Sequence, residues 1–501
     1  MLVNVKILDA DVGNLRVVLM PRSIATAIGV SGGLRVRLRN GERSTTAWVM
    51  VDELESDAVF LSKHVSELLG GPKKVDVCIY SPTSAIDYVK KKLNGLKLSQ
   101  DEIYTVIRDV VTGVLSDAEI AAFVAAQTSV GMDIDEMTFL TRAMVETGNV
   151  LKFEEPAYDI HSIGGVPGNS KVSIVAVPIV ASAGVFIPKT SSRAITSPAG
   201  TADTMEVFAP VTFTTEEVIE LAKKVRGFII WGGTLNLAPA DDILIHVEHQ
   251  LKLDPTSQMI ASILSKKLSM GISNLIIDIP TGRDAKVESI EEARNLSSIF
   301  TQVGSRLGIN LRCAITYGGQ PIGYTIGPAL EAQEALETFM GKGPMSVKEK
   351  AVALAGLTLE MAGVAPKGGG RRVASEILES GKAYQTFKAI VEAMGGTPNV
   401  RPDEIPVGKY KAEVKAPIDG YVTGVHNKPL TQIAIAAGAP FDKGAGVRLH
   451  VKGGHRVKEG QVLLEIYSNS ETLLDEALKL VNNLKPIMIE GMLLETLPEY
   501  I

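Results

Sequence analysis

The alternation of strand and helix signals between residues 155 and 327 constrains the fold of this chain most strongly. Runs rich in β-branched and aromatic residues alternate there with segments of helical periodicity. Since two parallel strands need a crossover connection, usually a helix, the alternation predicts a mostly parallel sheet that binds ligands at the carboxyl ends of its strands. The predicted strands are Tyr158–Ser162, Val185–Ile187, Phe228–Trp231, Leu275–Ile279 and Leu311–Ile315.

Three helix-start signals follow one another between residues 84 and 150. In each, a Ser or Asp is followed three residues later by a Glu, which is the pattern of a capping box. Apolar residues then recur with helical spacing, so we predict a helical domain over this range. The three pairs are Ser99 and Glu102, Ser116 and Glu119, and Asp133 and Glu136.

Both ends of the chain are rich in strand signals. Residues 1–83 alternate in polarity and contain the hairpin signal Asn40-Gly41, which predicts a β-rich N-terminal module. Since this sequence offers no donor-rich loop, we expect the module to serve homo-oligomer assembly. Residues 401–501 predict an α+β domain of barrel-sandwich type. We predict that residues 151–400 form an α/β domain together with the long helices that follow its strands.

Composition and charge exclude several classes of protein. At 501 residues the chain exceeds one ordinary domain, and acidic residues outnumber basic ones by 57 to 51, which disfavours nucleic-acid binding. Cys78 and Cys313 are too far apart for a disulfide framework and suit the cytoplasm. The uncharged stretch from Val172 to Pro188 is short for a membrane span and predicts a buried helix and strand. We therefore expect a cytoplasmic enzyme with no membrane partner.

A glycine-rich turn follows the first predicted strand of the α/β domain. The residues from Asp159 to Asn169 read DIHSIGGVPGN, a strand end that leads into a turn and a helix. Converging backbone N–H groups and a helix N-terminus favour an anion at such a turn. A connection without a ligand has the same pattern and stays open as an alternative. His161 is either catalytic or a polar residue that ends the strand.

Two further stretches carry polar groups in patterns that suit a ligand. The residues from Pro188 to Asp203 read PKTSSRAITSPAGTAD and offer hydroxyl groups and cations to phosphate oxygens, although a solvated loop would read similarly. Ser262 and Lys266 lie one helical turn apart and either hold a polar ligand jointly or form a solvated face. Lys286 follows the strand Leu275–Ile279 and is expected at its carboxyl edge, where a ligand would bind.

One pair of histidines has the spacing of metal ligands. His246 and His249 lie three residues apart on a predicted helix, but the sequence offers no convincing third ligand. We therefore predict no metal site.

Three motifs in a fixed order resemble those of a known enzyme family. They are HSxGG from His161, SxR followed by GTxD between Ser191 and Asp203, and ASILxKK from Ala261 to Lys267. Their order and spacing resemble the thymidine and pyrimidine nucleoside phosphorylases over residues 85–490. The β-rich N-terminal module and the motif KTSSRAITS resemble those of the archaeal-type AMP phosphorylases within that family.

The resemblance implies a multidomain fold of the α/β and α+β classes. A helical domain and an α/β domain would flank a cleft, as in the nucleoside phosphorylase II fold. It implies a pentosyltransferase in which phosphate attacks the anomeric carbon as the base departs. The expected substrate is AMP, with CMP and UMP as further candidates, and the expected products are the free base and ribose 1,5-bisphosphate. No cofactor is expected, since inorganic phosphate is the co-substrate.

The resemblance and the chemistry together name candidate site residues. Asp254 precedes the helix of Ser262 and Lys266 and is expected to donate a proton to the departing base, while His161 is a second catalytic candidate. The phosphate-binding residues are expected to be Ser162, Lys189 and Ser191. The substrate-binding residues are expected to be Gly168, Ser192, Arg193, Ala194, Ile195, Thr196, Ser197, Thr201, Ser262, Lys266 and Lys286.

Two positions depart from the family pattern. The lysine that precedes His-Ser in nucleoside phosphorylases is Ile160 here, and we expect Lys189 or Lys286 to replace it. The arginine that contacts the base in those enzymes is Val247 here, which disfavours a pyrimidine nucleoside as substrate. A pyrimidine nucleoside phosphorylase and a non-catalytic phosphosugar-binding or scaffold protein remain the alternatives.

Overall fold

The computed structural model describes residues 1–13, 15–194 and 197–492. By backbone contacts the chain divides into two compact units. The first unit comprises residues 1–149 and 238–265, and the second comprises residues 150–237 and 266–501.

The N-terminal module is a closed six-stranded β-barrel in the order β1-β5-β2-β4-β3-β6. Its strands pair both in parallel, as in β1 with β5, and antiparallel, as in β3 with β4. The predicted Asn40-Gly41 hairpin is confirmed: Asn40 pairs with Arg43, and Gly41 has the positive φ of 60° that such a turn requires. The elements are β1 (Leu2–Ile7), β2 (Val17–Pro21), α1 (Arg22–Ile28), β3 (Arg35–Asn40), β4 (Arg43–Asp52), β5 (Ala58–Leu61), α2 (Lys63–Leu68) and β6 (Lys74–Ile79).

Four helices follow the barrel in the same compact unit. The three capping boxes are confirmed, since each Ser or Asp side chain accepts a bond from the Glu backbone three residues on, and that Glu side chain bonds back. Arg35 of the barrel makes two hydrogen bonds of 2.8 Å to Glu119, which anchors the barrel to these helices. The helices are α3 (Ser84–Leu93), α4 (Gln100–Val111), α5 (Asp117–Ser129) and α6 (Ile134–Glu146).

The predicted alternation of strands and helices is confirmed in residues 157–326, and four helices follow it up to residue 393. The parallel strands form two sheets, β11-β10-β7 and β8-β9, and a hydrogen bond from Tyr158 N to Phe186 O links their adjoining edges. The elements are β7 (Ala157–Ser162), α7 (Ser170–Ser182), β8 (Ile187–Ser191), α8 (Thr201–Met205), α9 (Thr215–Lys224), β9 (Gly227–Trp231), α10 (Pro239–Leu251), α11 (Thr256–Ser269), β10 (Ile272–Thr281), α12 (Ile290–Arg306), β11 (Asn310–Tyr317), β12 (Thr325–Ile326), α13 (Pro328–Phe339), α14 (Met345–Met361), α15 (Gly370–Glu379) and α16 (Lys382–Ala393).

The second strand of this region was predicted too early in the chain. The sequence pattern favours Val185–Ile187, whereas β8 begins at Ile187. The reason is its partner: β9 starts at Gly227, which pairs with Ile187, so the ladder cannot form any earlier. Residues 238–265, which lie between β9 and the second part of α11, group with the first compact unit.

The C-terminal residues form two antiparallel sheets and two helices around an apolar core. One sheet has the order β12-β15-β17-β13 and the other β16-β14-β18. None of the helices in the described part of the chain has the length and apolar character needed to cross a membrane. The elements are β13 (Tyr410–Lys415), β14 (Gly420–Val425), α17 (Asn427–Ala436), β15 (Gly446–Leu449), β16 (Arg456–Val457), β17 (Val462–Ser468), α18 (Glu471–Leu484) and β18 (Ile487–Glu490).

Candidate active site

The glycine-rich turn joins the carboxyl end of β7 to the N-terminus of α7. Gly164, Gly165 and Gly168 all have a positive φ between 78° and 87°, a conformation that residues with a side chain rarely adopt. Ser162 Oγ accepts hydrogen bonds from Gly164 N at 3.3 Å and from Asn169 Nδ2 at 2.9 Å. The turn is therefore closed on itself at both ends.

Asp278 of β10 connects this turn to the body of the sheet. Its carboxylate is fully buried and accepts bonds from Thr316 Oγ1 at 2.5 Å and Asn169 Nδ2 at 3.4 Å. Lys350 Nζ lies 3.0 Å from the same carboxylate. Burial lowers the pKa of Lys350, and the attraction of Asp278 opposes that shift. The buried network thus fixes the turn relative to β10 and β11.

A second buried cluster lies behind β7 and β8. Asp159 is fully buried and lies 2.6 Å from Lys267 Nζ and 3.4 Å from Lys189 Nζ. Lys189 also donates to Ile160 O at 2.5 Å, and Lys267 donates to Thr190 O at 2.8 Å. Lys189 thus connects β8 to β7, and Lys267 binds to both strands.

This cluster contains more positive than negative charge. Two lysines share the carboxylate of Asp159, which leaves one excess positive charge when both lysines are protonated. Burial, together with the neighbouring Lys189, lowers the pKa of Lys267 to about 8, although Asp159 counteracts part of the shift. Burial and the positive charges of Lys267, Lys189 and Lys266 also lower the pKa of His161 well below its usual 6.5. This shift favours the neutral imidazole form of His161.

The donor-rich loop after β8 is organised around Asp203. The Asp203 carboxylate accepts hydrogen bonds from Ala194 N at 2.7 Å and from Gly200 N at 2.9 Å. Ser191 Oγ donates to Ser192 O at 3.2 Å, and Ser197 Oγ donates weakly to a backbone carbonyl. One buried carboxylate therefore closes the loop. Thr201 is the first residue of α8.

Arg193 in this loop is engaged by acidic side chains. Its guanidinium makes two bonds to Glu206, of 2.5 and 2.6 Å, and stands 4.9 Å above the ring of Trp231. The hydrogen bonds from Arg193, aided by Lys443, lower the pKa of Glu206 to about 2. Arg193 thus shapes the loop, and its charge is largely compensated within the protein.

Lys286 lies on the loop that follows β10. Its side chain is exposed, and its backbone runs directly against Gly165 of the glycine-rich turn. A Cβ atom on Gly165 would lie only 2.7 Å from Lys286 N. The absence of a side chain at Gly165 therefore allows the two loops to touch.

Asp254 and Ser262 belong to the first compact unit. Asp254 is exposed in the turn just before Pro255 and α11. Ser262 lies on α11 and donates to the buried Asp241 at 2.8 Å, while Lys266 is partly buried one turn later. Asp241 thus holds the serine that the sequence singled out.

Family models match three parts of the chain. A glycosyl transferase family helical bundle domain matches residues 86–148, and a glycosyl transferase family α/β domain matches residues 154–384. A pyrimidine nucleoside phosphorylase C-terminal domain matches residues 421–488.

Curated relatives extend over nearly the whole chain. An AMP phosphorylase of Pyrococcus furiosus is 50% identical over 498 residues, which is 98% of this chain and 99% of the relative. An AMP phosphorylase of Hyperthermus butylicus is 50% identical and covers 97% of both chains. This chain belongs to the AMP phosphorylase family. A third relative, from Methanosarcina acetivorans, is 46% identical over 99% of both chains.

A solved structure agrees with the fold of this AMP phosphorylase family member. Anthranilate phosphoribosyltransferase from Thermus thermophilus superposes with a TM-score of 0.50 at 22% identity, covering 62% of this chain and all of that one. At that identity the likeness concerns the fold alone.

Most of the predicted site residues of this family member lie in two loops of the second unit. The glycine-rich turn and the donor-rich loop follow the neighbouring strands β7 and β8, with Lys286 beside the former. Asp254 and Ser262 lie in the other unit. Ile195 and Thr196 fall outside the described residues.

Sequence reasoning missed the buried partners of these residues. It did not assign roles to Asp159, Lys267, Asp203 or Asp278, each of which holds a predicted residue or its loop in place. A signal existed for Lys267, since the two adjacent lysines of α11 point to different faces of a helix and the second falls among apolar residues.

Proposed function

We propose that this chain catalyses the phosphorolysis of AMP to adenine and ribose 1,5-bisphosphate. The observation that carries the proposal is the excess positive charge of the buried cluster of Lys189, Asp159 and Lys267. This cluster lies next to the strands β7 and β8, which lead into the glycine-rich turn and the donor-rich loop. A buried cation without full compensation is costly unless an anion is bound nearby. The strong identity to AMP phosphorylases supports AMP as the source of that anion over a pyrimidine nucleoside.

The substrate pair explains why one anion-binding loop would not suffice. AMP brings a 5′-phosphate and the co-substrate is a second phosphate, so the two anions repel each other across a short distance. Two loops on neighbouring strands allow the anions to be held separately. A nucleoside phosphorylase needs only one anion-binding loop, and a scaffold protein needs none.

In the proposed reaction a phosphate oxygen attacks C1′ of the ribose. The bond between C1′ and the base nitrogen breaks, and its electron pair leaves with the base. We assign Asp254 as the proton donor to a ring nitrogen of the base, because protonation makes the base a better leaving group. The neutral His161 is left with a hydrogen-bonding role.

The remaining assignments divide between phosphate and nucleotide. We assign Ser162 and Ser191 to phosphate, and we infer that Lys189 replaces the family lysine, since its ammonium is bonded to the backbone of Ile160, where that lysine would stand. Because its side chain is buried, Lys189 would then attract phosphate mainly through the electrostatic field of its ammonium group. The nucleotide contacts are assigned to Gly168, Ser192, Arg193, Ala194, Ile195, Thr196, Ser197, Thr201, Ser262, Lys266 and Lys286.

A direct test compares substrates with and without inorganic phosphate. The purified protein is incubated with AMP, CMP, UMP, adenosine or uridine, and the free bases and sugar phosphates are separated by chromatography. We expect adenine and ribose 1,5-bisphosphate from AMP only when phosphate is present. Release of adenine without phosphate would indicate a hydrolase and refute the proposal.

We also propose that the barrel serves assembly of a homo-oligomer in the cytoplasm. Its outer surface carries large apolar side chains that are more than half exposed, among them Leu2, Met50 and Ile79. Apolar side chains at a surface mark a contact site where they form one contiguous patch. The proposed reaction is a group transfer to phosphate and involves no oxidation or reduction. It therefore calls for no redox cofactor.

A further inference from the structure

The loop that carries Lys286 is constrained from within. Thr281 bridges to Val287, and Gly282 N donates to Val287 O at 3.1 Å, so the loop closes just after β10. On one side its backbone touches Gly165 of the glycine-rich turn. The position of Lys286 relative to that turn therefore depends on how the loop is held from the other side.

The other side of the loop is bonded to the C-terminal domain. His426 Nδ1 and Asp284 Oδ2 lie 3.0 Å apart, at the point where α17 begins. The next residue, Asn427, donates from Nδ2 to Gly318 O at 2.8 Å and to Arg283 O at 3.4 Å. The start of α17 is thus hydrogen-bonded both to the loop that carries Lys286 and to the turn after β11.

Three features show that these contacts serve more than the stability of the helix. The side chain of His426 makes no capping bond to α17, although His426 is its N-cap residue. Asp284 adopts a positive φ of 62°, a conformation with an energetic cost for a residue with a side chain. Asn427 is 1% exposed, and its Oδ1 has no hydrogen-bond partner within the described residues. These costs are understandable if the contacts hold the loop in one place.

We propose that His426 and Asp284 form a positioning pair that sets the place of Lys286 against the glycine-rich turn. The inference rests on the proposed contact of Lys286 with the substrate. In this proposal the pair acts through the position of Lys286 and makes no contact with the reacting atoms. The C-terminal domain thereby takes part in catalysis through a single loop.

A double-mutant cycle tests this role. The variants are His426→Ala and His426→Asn, each made in the wild-type chain and in Lys286→Ala, with kcat and KM for AMP measured separately and melting temperatures recorded. We expect His426→Ala to lower kcat/KM roughly fivefold or more in the wild type and less than about twofold in Lys286→Ala, because the pair acts through the lysine. His426→Asn should retain most of the activity, since its amide nitrogen reaches the place of Nδ1.

A second histidine supplies the matched control. His450 also pairs with a carboxylate in the C-terminal domain, at 3.3 Å from Glu465, but it follows β15 and lies away from α17 in sequence. His450→Ala should leave kcat/KM within about twofold in both backgrounds.

Several results would overturn the proposal. Equal losses from His426→Ala in both backgrounds would mean that it acts independently of Lys286, and a folded variant with unchanged kcat/KM would exclude the role. A Lys286→Ala variant with near-normal kcat/KM would also refute it. If His426→Ala did not fold, Asp284→Gly would replace it in the same cycle, since glycine accepts the positive φ. If the wild type released no adenine, the proposed function would fall, and the same cycle on AMP dissociation constants would still decide the positioning role.

Discussion

The N-terminal barrel and the α/β region differ in what they bury. Among the described residues up to 83, the buried polar side chains are hydroxyl groups, namely Thr45, Thr46, Ser62 and Ser66. The α/β region buries lysines and carboxylates at least as deeply, including Asp159, Lys267 and Asp278. Since a buried ion pair often stabilises a fold no better than apolar residues would, stability alone does not explain these charges. The contrast indicates that the barrel is built to fold and the α/β region to bind.

The largest expected effect belongs to Asp254, whose carboxyl group lies at the surface. Asp254→Asn should lower kcat by at least about a hundredfold, because a general acid typically contributes 10²–10⁴-fold. The melting temperature should barely change, since asparagine can replace an exposed aspartate in a turn before a helix. Steady-state kinetics with AMP and a thermal melt measure the two quantities.

Asp133 offers a structural control for that experiment. It caps α6 in a complete capping box. Asp133→Ala should cost about 1 kcal/mol of stability with little change in kcat. If Asp254→Asn behaved in the same way, the proton-donor role would be wrong and the aspartate would be structural.

Lys286 should give the second-largest effect. Lys286→Ala is expected to cost about 2–4 kcal/mol in kcat/KM for AMP, as for a charge paired with a phosphate that is shielded from water. Lys223, which forms an exposed pair with Glu220, is the matched surface lysine. Lys223→Ala should change kcat/KM by less than about twofold. A similarly small change for Lys286→Ala would place that lysine outside the site.

The buried cluster predicts a pH dependence. Because the pKa of Lys267 is about 8, raising the pH above 8 removes the excess positive charge beside Asp159, Lys189 and Lys266. The KM for phosphate should then rise by roughly tenfold, as expected for the loss of one nearby charge. Between pH 8 and 10.5 the unfolded chain still holds the proton on Lys267, whereas the folded chain has lost it. The contribution of Lys267 to the free energy of unfolding should therefore rise with pH over this range.

Two variants of Lys267 isolate its contribution. Lys267→Met should raise the KM for phosphate at pH 7 and remove the step near pH 8. Lys267→Arg keeps its charge throughout and should remove the step without that rise at pH 7, provided that melting temperatures show intact folds. A step that persists in both variants would come from another group.

The smallest effect on activity is expected in the barrel. Met50→Lys places a charge on an exposed apolar position and should reduce the oligomer's mass in light scattering. Activity per chain should stay within about twofold, as for most surface substitutions. A large loss of turnover at unchanged mass would contradict the division of labour between the two regions.

The sequence predicts local features well and long-range pairs poorly. The capping boxes, the Asn40-Gly41 hairpin and the alternating strands depend on residues close in sequence, and the structure contains all of them. The start of β8 was misplaced because it depends on where its partner β9 begins.

The same distinction applies to the candidate site. The loops could be recognised from their glycine and hydroxyl residues. The partner of Arg193 is Glu206, and that of Asp284 is His426, 142 positions away. Neither pairing has a sequence signal, because the fold alone brings the partners together.

The closure of the N-terminal barrel limits how copies of this chain can associate. A closed barrel has no free strand edge, so a second chain cannot extend its sheet by backbone hydrogen bonds. Contacts through the barrel must therefore be made by side chains, which point in fixed directions from a curved wall. The symmetry relating the copies then determines whether such side-chain contacts close into a ring.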